Sequence, residues 1–184
     1  TAGTWFRASD PSNLFGGTEY ATTGVDSLWG YTPPTVTDSR IGLASNLSIP
    51  SGARLQFNHS YGFESGAGVN YDGGVVEYST DGGSLWSSLS PLHVAGAAYG
   101  GTLSSSYSNP LGGQSAFVKD SFGYTASQYD LSSLAGQTAF RLRFRTGTDN
   151  TGDDYGWFVD DVRVYQCAAD AIQIAAGNNQ TATV

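Results

Sequence analysis

The sequence contains little of what several large classes of protein require. Of its 184 residues only Cys167 is a cysteine, so a disulfide framework within the chain is excluded. The chain has eight basic residues, of which Lys119 is the single lysine, against sixteen acidic ones, so its net charge is −8. This charge argues against binding to nucleic acid and to anionic membrane surfaces. No apolar run reaches the roughly 18 residues of a transmembrane helix, so we expect no membrane span.

Signatures of catalysis are missing as well. There is no His-Glu-x-x-His motif and no Gly-x-Ser-x-Gly nucleophile elbow. The two histidines, His59 and His93, lack a second histidine at metal-ligand spacing, and the alternation around His59 predicts a hydrogen-bonded core residue. A carboxylate pair such as Glu64 with Glu77 stays compatible with glycoside hydrolysis, because the required separation is spatial. We nevertheless predict that this chain is not an enzyme.

Glycine and aromatic residues are abundant instead. The chain has 25 glycines, 11 tyrosines, 9 phenylalanines and 4 tryptophans, which favours short strands joined by tight turns. The stretches ARLQFNHSYGF (53–63) and AFRLRFRTGTD (139–149) alternate with the two-residue period of a strand. Asp81-Gly82-Gly83 predicts a hairpin turn. We therefore predict an all-β fold, a two-sheet antiparallel β-sandwich of the jelly-roll type.

The remaining stretches predict the organisation of the chain. Residues 1–50 predict one or two edge strands, residues 94–116 a long surface loop, and residues 115–124 a strand. YDLSSLAGQ (129–137) is typical of one helical turn, and WFVDDVRVY (157–165) of the final strand. We predict a β-sandwich domain over residues 1–167 and a linker, or the start of a further segment, over 168–184.

The final predicted strand is preceded and interrupted by acidic residues. Five aspartates lie within thirteen residues: Asp149, Asp153, Asp154, Asp160 and Asp161. In a regular strand Phe158, Asp160, Val162 and Val164 would share one face, with Asp161 on the other. A carboxylate on an apolar face needs a partner, and calcium accepts 6–8 oxygen ligands. The pattern predicts a structural calcium site, although it is not an EF-hand, and a solvated acidic loop remains the alternative.

A second acidic pair brackets the glycine-rich stretch GAGVN. Glu64 and Asp72 could meet across it and form a second cation or ligand site. The alternative is that Asp72 makes a turn leading into the next strand.

Two further groups of side chains could bind a ligand. Arg141, Arg143 and Arg145 form a row that could hold carboxylates or a sulfated sugar, but we favour a solvent-facing strand surface whose charges are paired with acids on neighbouring strands. The aromatic residues could build a sugar-stacking platform or fill the core. The candidates in irregular stretches are Trp29, Tyr31 and Tyr99.

Three stretches carry a family resemblance: RIGLASNLSIP (40–50), FNHSYGFESGAGVNYDGGVVEYSTDGGSLWSSL (57–89) and YDLSSLAGQTAFRLRFRTGTDNTGDDYGWFVDDVRVY (129–165). Together, over residues 38–166, they resemble the jelly-roll accessory domains of bacterial secreted peptidases and surface proteins. The relatives implied are the immune-inhibitor-A-like and MAM-like domains. The resemblance implies a concanavalin-like sandwich, no catalysis, and a structural calcium. It also implies that oxygens near the first strand join the metal site, which would add Asp10.

The expected function follows from these observations. We expect a secreted, bacterial, calcium-stabilised accessory module that serves binding or spacing. Its expected partner is a catalytic domain of the same chain, for which a peptidase is the implied activity. The alternatives are a carbohydrate-binding module with a polysaccharide ligand and a protein-docking or adhesion module.

Overall fold

A computed structural model describes residues 4–8 and 20–166. Within them lie two 3-10 turns, Ser90–Leu92 and Ser132–Leu134, and fourteen strands. The strands are β1 (Trp5–Arg7), β2 (Leu28–Thr32), β3 (Thr37–Gly42), β4 (Ala53–Gly62), β5 (Ser65–Gly66), β6 (Val69–Asn70), β7 (Gly73–Ser79), β8 (Ser87–Ser88), β9 (His93–Gly96), β10 (Gly101–Thr102), β11 (Ser115–Ala116), β12 (Thr125–Asp130), β13 (Arg141–Thr148) and β14 (Asp154–Gln166). Among these residues no helix is long and apolar enough to cross a membrane.

The strands form two main antiparallel sheets. The first has the order β1-β2-β14-β4-β12-β9, and the second has the order β3-β13-β7-β8. Two small ribbons, β5-β6 and β10-β11, are connected to them. The inward faces of these two sheets enclose one large aromatic and aliphatic core, which confirms the predicted all-β sandwich.

Alternation along β4 and β13 places their apolar side chains in this core. Phe57 of β4 meets Phe144 of β13 edge-on, with ring centroids 5.0 Å apart. Trp157 of β14 is fully buried between the sheets and meets Phe144 edge-on at 5.5 Å. Both alternating stretches are therefore strands with the predicted inward faces. The Asp81-Gly82-Gly83 turn also connects two paired strands, β7 and β8, as predicted.

His59 is the one histidine of the core, and its hydrogen bonds fix its protonation. Trp157 donates its indole N–H to His59 Nδ1 at 3.2 Å, so Nε2 carries the proton and faces Ser127 Oγ at 2.9 Å. Ser127 in turn donates to the carbonyl of Ala97. Burial lowers the pKa of His59 to about 3. The predicted hydrogen-bonded core histidine is thus held neutral.

The predictions for the middle of the chain were only partly correct. Residues 94–116 contain parts of three short strands, β9, β10 and β11, and are not simply a loop. The strand predicted at 115–124 ends after Ala116, and β12 starts only at Thr125. β12 has the polar sequence TASQYD, and Tyr129 is its one large apolar residue in the core. The predicted helical turn is present at Ser132–Leu134.

The final strand is not regular, and the predicted sharing of faces is wrong. Asp161 has φ +51°, and the register of β14 against β4 shifts between Asp160 and Arg163. This bulge inserts one residue and reverses the alternation. Val159 and Val164 therefore both contact the core, whereas Phe158 packs outside it, stacked on Trp29.

Candidate metal centre

Three acidic residues come together where strands of the second sheet meet the end of β4. Asp149 directly follows β13 and Asp72 directly precedes β7, and these strands pair so that Gly147 lies opposite Gly73. Glu64 follows β4, and its carbonyl accepts the backbone N–H groups of Tyr71 and Asp72. The sheet register and the β5-β6 ribbon thus bring together carboxylates that are up to 85 residues apart in the numbering of the chain.

The carboxylates of this acidic triad, Glu64, Asp72 and Asp149, converge on one point. One oxygen from each lies within 4.8 Å of the others. Asp72 is 0% exposed and Asp149 is 1% exposed. Backbone N–H groups orient both: that of Asp149 donates to Asp72 Oδ1, and that of Thr151 donates to Asp149 Oδ1, each at 2.8 Å. These bonds leave the second oxygen of each aspartate available to the shared centre.

One carboxylate oxygen of each triad residue has no hydrogen-bond donor among the described residues. Glu64 Oε2, Asp72 Oδ2 and Asp149 Oδ2 are all buried and have no hydrogen-bond partner among the described residues. Among the residues that the structure describes, no arginine, lysine or histidine forms an ion pair with the triad. Buried polar atoms are nearly always satisfied, so three orphaned oxygens at one point call for a ligand.

Burial and repulsion between the carboxylates raise the pKa of two members of the triad. Burial, together with the charges of Asp149, Glu64 and Asp153, raises the pKa of Asp72 to about 7, against a lowering contribution from its backbone hydrogen bond. Burial and the charges of Asp149 and Asp153 also raise the pKa of Glu64. Both shifts have the cause expected of buried like charges without a cation.

The donor set fits a hard divalent cation. Calcium binds oxygen at 2.3–2.6 Å, so two of its ligands can lie at most about 5 Å apart. The separation of 4.8 Å within the triad meets this limit. The triad offers only carboxylate oxygens, whereas structural zinc sites are built from cysteine sulfur and histidine nitrogen. Glu64, Asp72 and Asp149 could therefore hold calcium.

A glycine allows the loop after β13 to close over the triad. Gly152 has φ +67°, and a Cβ atom built on it would overlap the Glu64 carboxylate. Any other residue at this position would push Glu64 away from the two aspartates. Gly152 is a residue that the sequence reasoning missed, since its role depends on the close approach of a distant side chain.

The structure divides the five aspartates that were predicted to form one site. Asp149 belongs to the triad. Asp153 is exposed but near enough to raise the pKa of Glu64 and Asp72. Asp154 is exposed, and its Oδ1 accepts the N–H of Tyr155. Asp10 lies outside the described residues.

Asp160 and Asp161 form a separate cluster. Asp160 is six residues beyond Asp154 along β14, roughly 20 Å of extended chain, so these groups cannot share an ion. Asp160 accepts the backbone N–H of Thr22, and Asp161 accepts the hydroxyl of Thr23. The single hydroxyl proton of Thr22 lies within hydrogen-bond distance of both carboxylates. The Thr23 and Thr22 hydroxyls, followed by Arg163, lower the pKa of Asp161. Hydrogen bonds and an ion pair therefore satisfy these carboxylates where calcium was predicted.

The predicted aromatic platform is not assembled. Trp29 is buried, and its indole N–H donates to the carbonyl of Tyr155 at 2.7 Å. The hydroxyl of Tyr99 is bonded to both backbone groups of Val76, and burial raises its pKa to about 12. Tyr31 is half-buried against Trp29. The burial of Trp29 and the partial burial of Tyr99, with its hydroxyl bonded, correct the expectation that irregular sequence implies an exposed ring.

Comparison with known proteins gives one family. The family model for Reelin subrepeat B matches residues 35–164, a range that contains the whole triad. The match agrees with the jelly-roll part of the resemblance over residues 38–166, but it does not confirm the MAM-like or immune-inhibitor-A-like assignment. Reelin subrepeats are a non-catalytic, extracellular type of domain. No curated protein matches the chain significantly.

Proposed function

The chain belongs to the Reelin subrepeat B family, and from this premise we propose that it is a non-catalytic, calcium-stabilised β-sandwich module of a secreted or surface protein, in which it serves binding or spacing. The observation that supports calcium is the triad of buried carboxylates with three oxygens that lack a donor among the described residues. A bacterial secreted peptidase as the parent protein remains a proposal that rests on the MAM-like resemblance alone.

Calcium would act by connecting segments that the fold brings together. Its ligands come from the end of β4, the start of β7 and the loop between β13 and β14. The unfolded chain does not assemble these ligands, so calcium stabilises the folded state by mass action. At a hundredfold excess over the dissociation constant, the gain in unfolding free energy is about 2.7 kcal/mol.

The first test is the melting temperature with and without calcium. We expect millimolar calcium to raise the Tm above its value in EDTA by about 5–10 °C, since 1 kcal/mol corresponds to about 2–4 °C in a domain of this size. Asp160→Asn is the matched control, because it removes an aspartate of the separate cluster and should leave the calcium response intact. An identical Tm in calcium and EDTA would remove calcium from the proposal.

Gly152→Ala is expected to abolish the calcium response. The methyl group would overlap the Glu64 carboxylate and displace it from the triad. Gly113→Ala is the control: Gly113 has φ +85°, but its Cβ would have no heavy atom within 4 Å. Both variants bear the backbone strain, about 1–2 kcal/mol, and only Gly152→Ala should lose calcium binding by calorimetry. Equal calcium affinity in the two variants would contradict the assignment of Glu64.

A further inference from the structure

The outer face of the second sheet concentrates positive charge in an acidic protein. Four of the eight basic residues lie there: Arg40 on β3 and Arg141, Arg143 and Arg145 on β13. Arg40 is directly opposite Arg145 across the strand pair. Arg141 is eight residues from Asp149 along extended chain, roughly 25 Å, so the Arg141 end of this arginine face lies away from the acidic triad.

The acids on this face neutralise only part of the charge. Arg143 pairs with Glu77 at 2.5 Å. Arg145 forms a two-pronged pair with Asp38, at 2.6 and 2.8 Å, and reaches Glu77 at 3.4 Å. These pairs match the prediction that neighbouring strands supply acids to the arginine row. Two carboxylates, however, face four guanidinium groups.

Arg40 and Arg141 are the two arginines of this face that form no ion pair within the described residues. Arg40 is exposed, and its charge adds to the lowering of the pKa of Asp38, which is caused first by the hydrogen bond from Arg145, the residue with which Asp38 is already paired. Arg141 donates its Nε–H to the amide oxygen of Asn46 at 2.8 Å, which is a neutral partner and leaves its terminal N–H groups available. The local charge of the face is therefore about +2 on a chain of net charge −8.

These two side chains line an open pocket together with an aromatic ring. Its lining residues include Arg40, Trp86, Arg141 and Arg143. The indole N–H of Trp86 donates to the carbonyl of Gly83 at 3.0 Å, and the Arg143 guanidinium lies 4.0 Å from the ring centroid. The ring and Arg143 are thus held in place before any ligand arrives, which lowers the entropy lost on binding.

The chemistry of the pocket selects an anion that also has an apolar face. A guanidinium presents paired N–H donors that match two oxygens of a sulfate or carboxylate group. Trp86 adds a partly exposed aromatic surface beside those donors, and a sugar ring offers apolar C–H groups to such a surface. An acidic peptide side chain would satisfy the arginines without using the ring. We propose that this arginine face binds an anionic saccharide, one whose sugar units carry sulfate or carboxylate groups.

Binding of the whole chain to matched dextrans tests this proposal. With calcium held constant, the chain should bind dextran sulfate or carboxymethyl dextran and should not bind neutral dextran. Arg40→Gln/Arg141→Gln should weaken that binding at least tenfold. The control variant, Arg54→Gln/Arg163→Gln, removes the same two charges from other surfaces and should bind like the unmodified chain. The Tm of each variant shows whether it folds. Arg40→Gln alone, at an exposed site, is measured in the same dextran-binding assay as a second test of this face.

Several results would overturn the proposal. They are binding that is equal for neutral and anionic dextran, equal losses in the two double variants, or no binding to either anionic dextran. Polyglutamate that bound as tightly as the anionic dextrans would also overturn it, in favour of an acidic protein partner. The calcium response of Tm is measured separately, so failure here leaves the calcium site untouched, and failure of the calcium site leaves the arginine face untouched.

Discussion

Asp72→Asn is expected to raise the Tm in EDTA at pH 8 by about 5–10 °C and to abolish the response to calcium. The aspartate is fully buried beside two further carboxylates, and its unpaired Oδ2 has no donor among the described residues. An asparagine keeps an oxygen that accepts the Asp149 N–H. It also supplies N–H donors for the orphaned oxygens of the triad.

The size of this effect follows from the pKa of Asp72. Its rise from 3.8 to about 7 corresponds to about 4 kcal/mol at about 1.36 kcal/mol per pKa unit. The pKa is raised in the folded state, so the stability that protonation gives is present below pH 3.8 and is lost as the pH rises to 7. Above pH 7 the calcium-free protein bears the full destabilisation. The asparagine removes most of it, about 2–4 kcal/mol.

The diagnostic outcome is that Asp72→Asn both stabilises the calcium-free protein and removes the effect of calcium on Tm. Calcium and the asparagine relieve the same buried charge, so their effects should not add. Asp160→Asn should leave the calcium response unchanged, since Asp160 accepts its hydrogen bonds from Thr22 and Thr23. A lower Tm of Asp72→Asn in EDTA would mean that the carboxylate has a favourable partner and that the triad is not a cation site.

The sequence was sufficient for the sheets but not for the site. Strict alternation in residues 53–63 and 139–149 identifies β4 and β13, because each strand has one face in the core and one outside it. The acidic triad depends instead on sheet register, which places Asp149 at the end of β13 beside Asp72 at the start of β7. Proximity along the chain grouped Asp149 with Asp160, although β14 carries them apart.

Local irregularity accounts for the other errors. The bulge at Asp161 requires a positive φ in a non-glycine residue, and no residue pattern in WFVDDVRVY predicts it. Trp29 lies in a stretch with no clear period, yet it is buried on the outer side of the first sheet among Ala8 and Phe158. Periodicity detects which residues face one core. It does not detect a second, smaller cluster on the opposite face of the same sheet.

Acidification is expected to destabilise the protein through His59. Its pKa is about 3 in the folded state, because burial penalises the charged ring, against 6.5 in an exposed histidine. The folded pKa is lowered, so the stability contribution is complete above pH 6.5 and is lost as the pH falls from 6.5 towards 3. The slope approaches about 1.36 kcal/mol per pH unit, which amounts to about 3 kcal/mol between pH 6.5 and 4.

In the calcium-free protein Asp72 hides this loss, because its raised pKa makes it contribute in the opposite direction over nearly the same range. We therefore place the test in the Asp72→Asn background, with urea unfolding between pH 7 and 4.5. His59→Gln is the comparison, since a side-chain amide both accepts from Trp157 and donates to Ser127 but does not titrate. The carboxylates of lowered pKa, Asp38 and Asp161 among them, lose their contribution only below about pH 4. Glu64, whose pKa is raised, contributes equally to both variants, so the difference between them isolates His59. As the pH falls, Asp72→Asn should lose unfolding free energy relative to Asp72→Asn/His59→Gln, and parallel pH profiles would show that the buried network of His59 does not control acid stability.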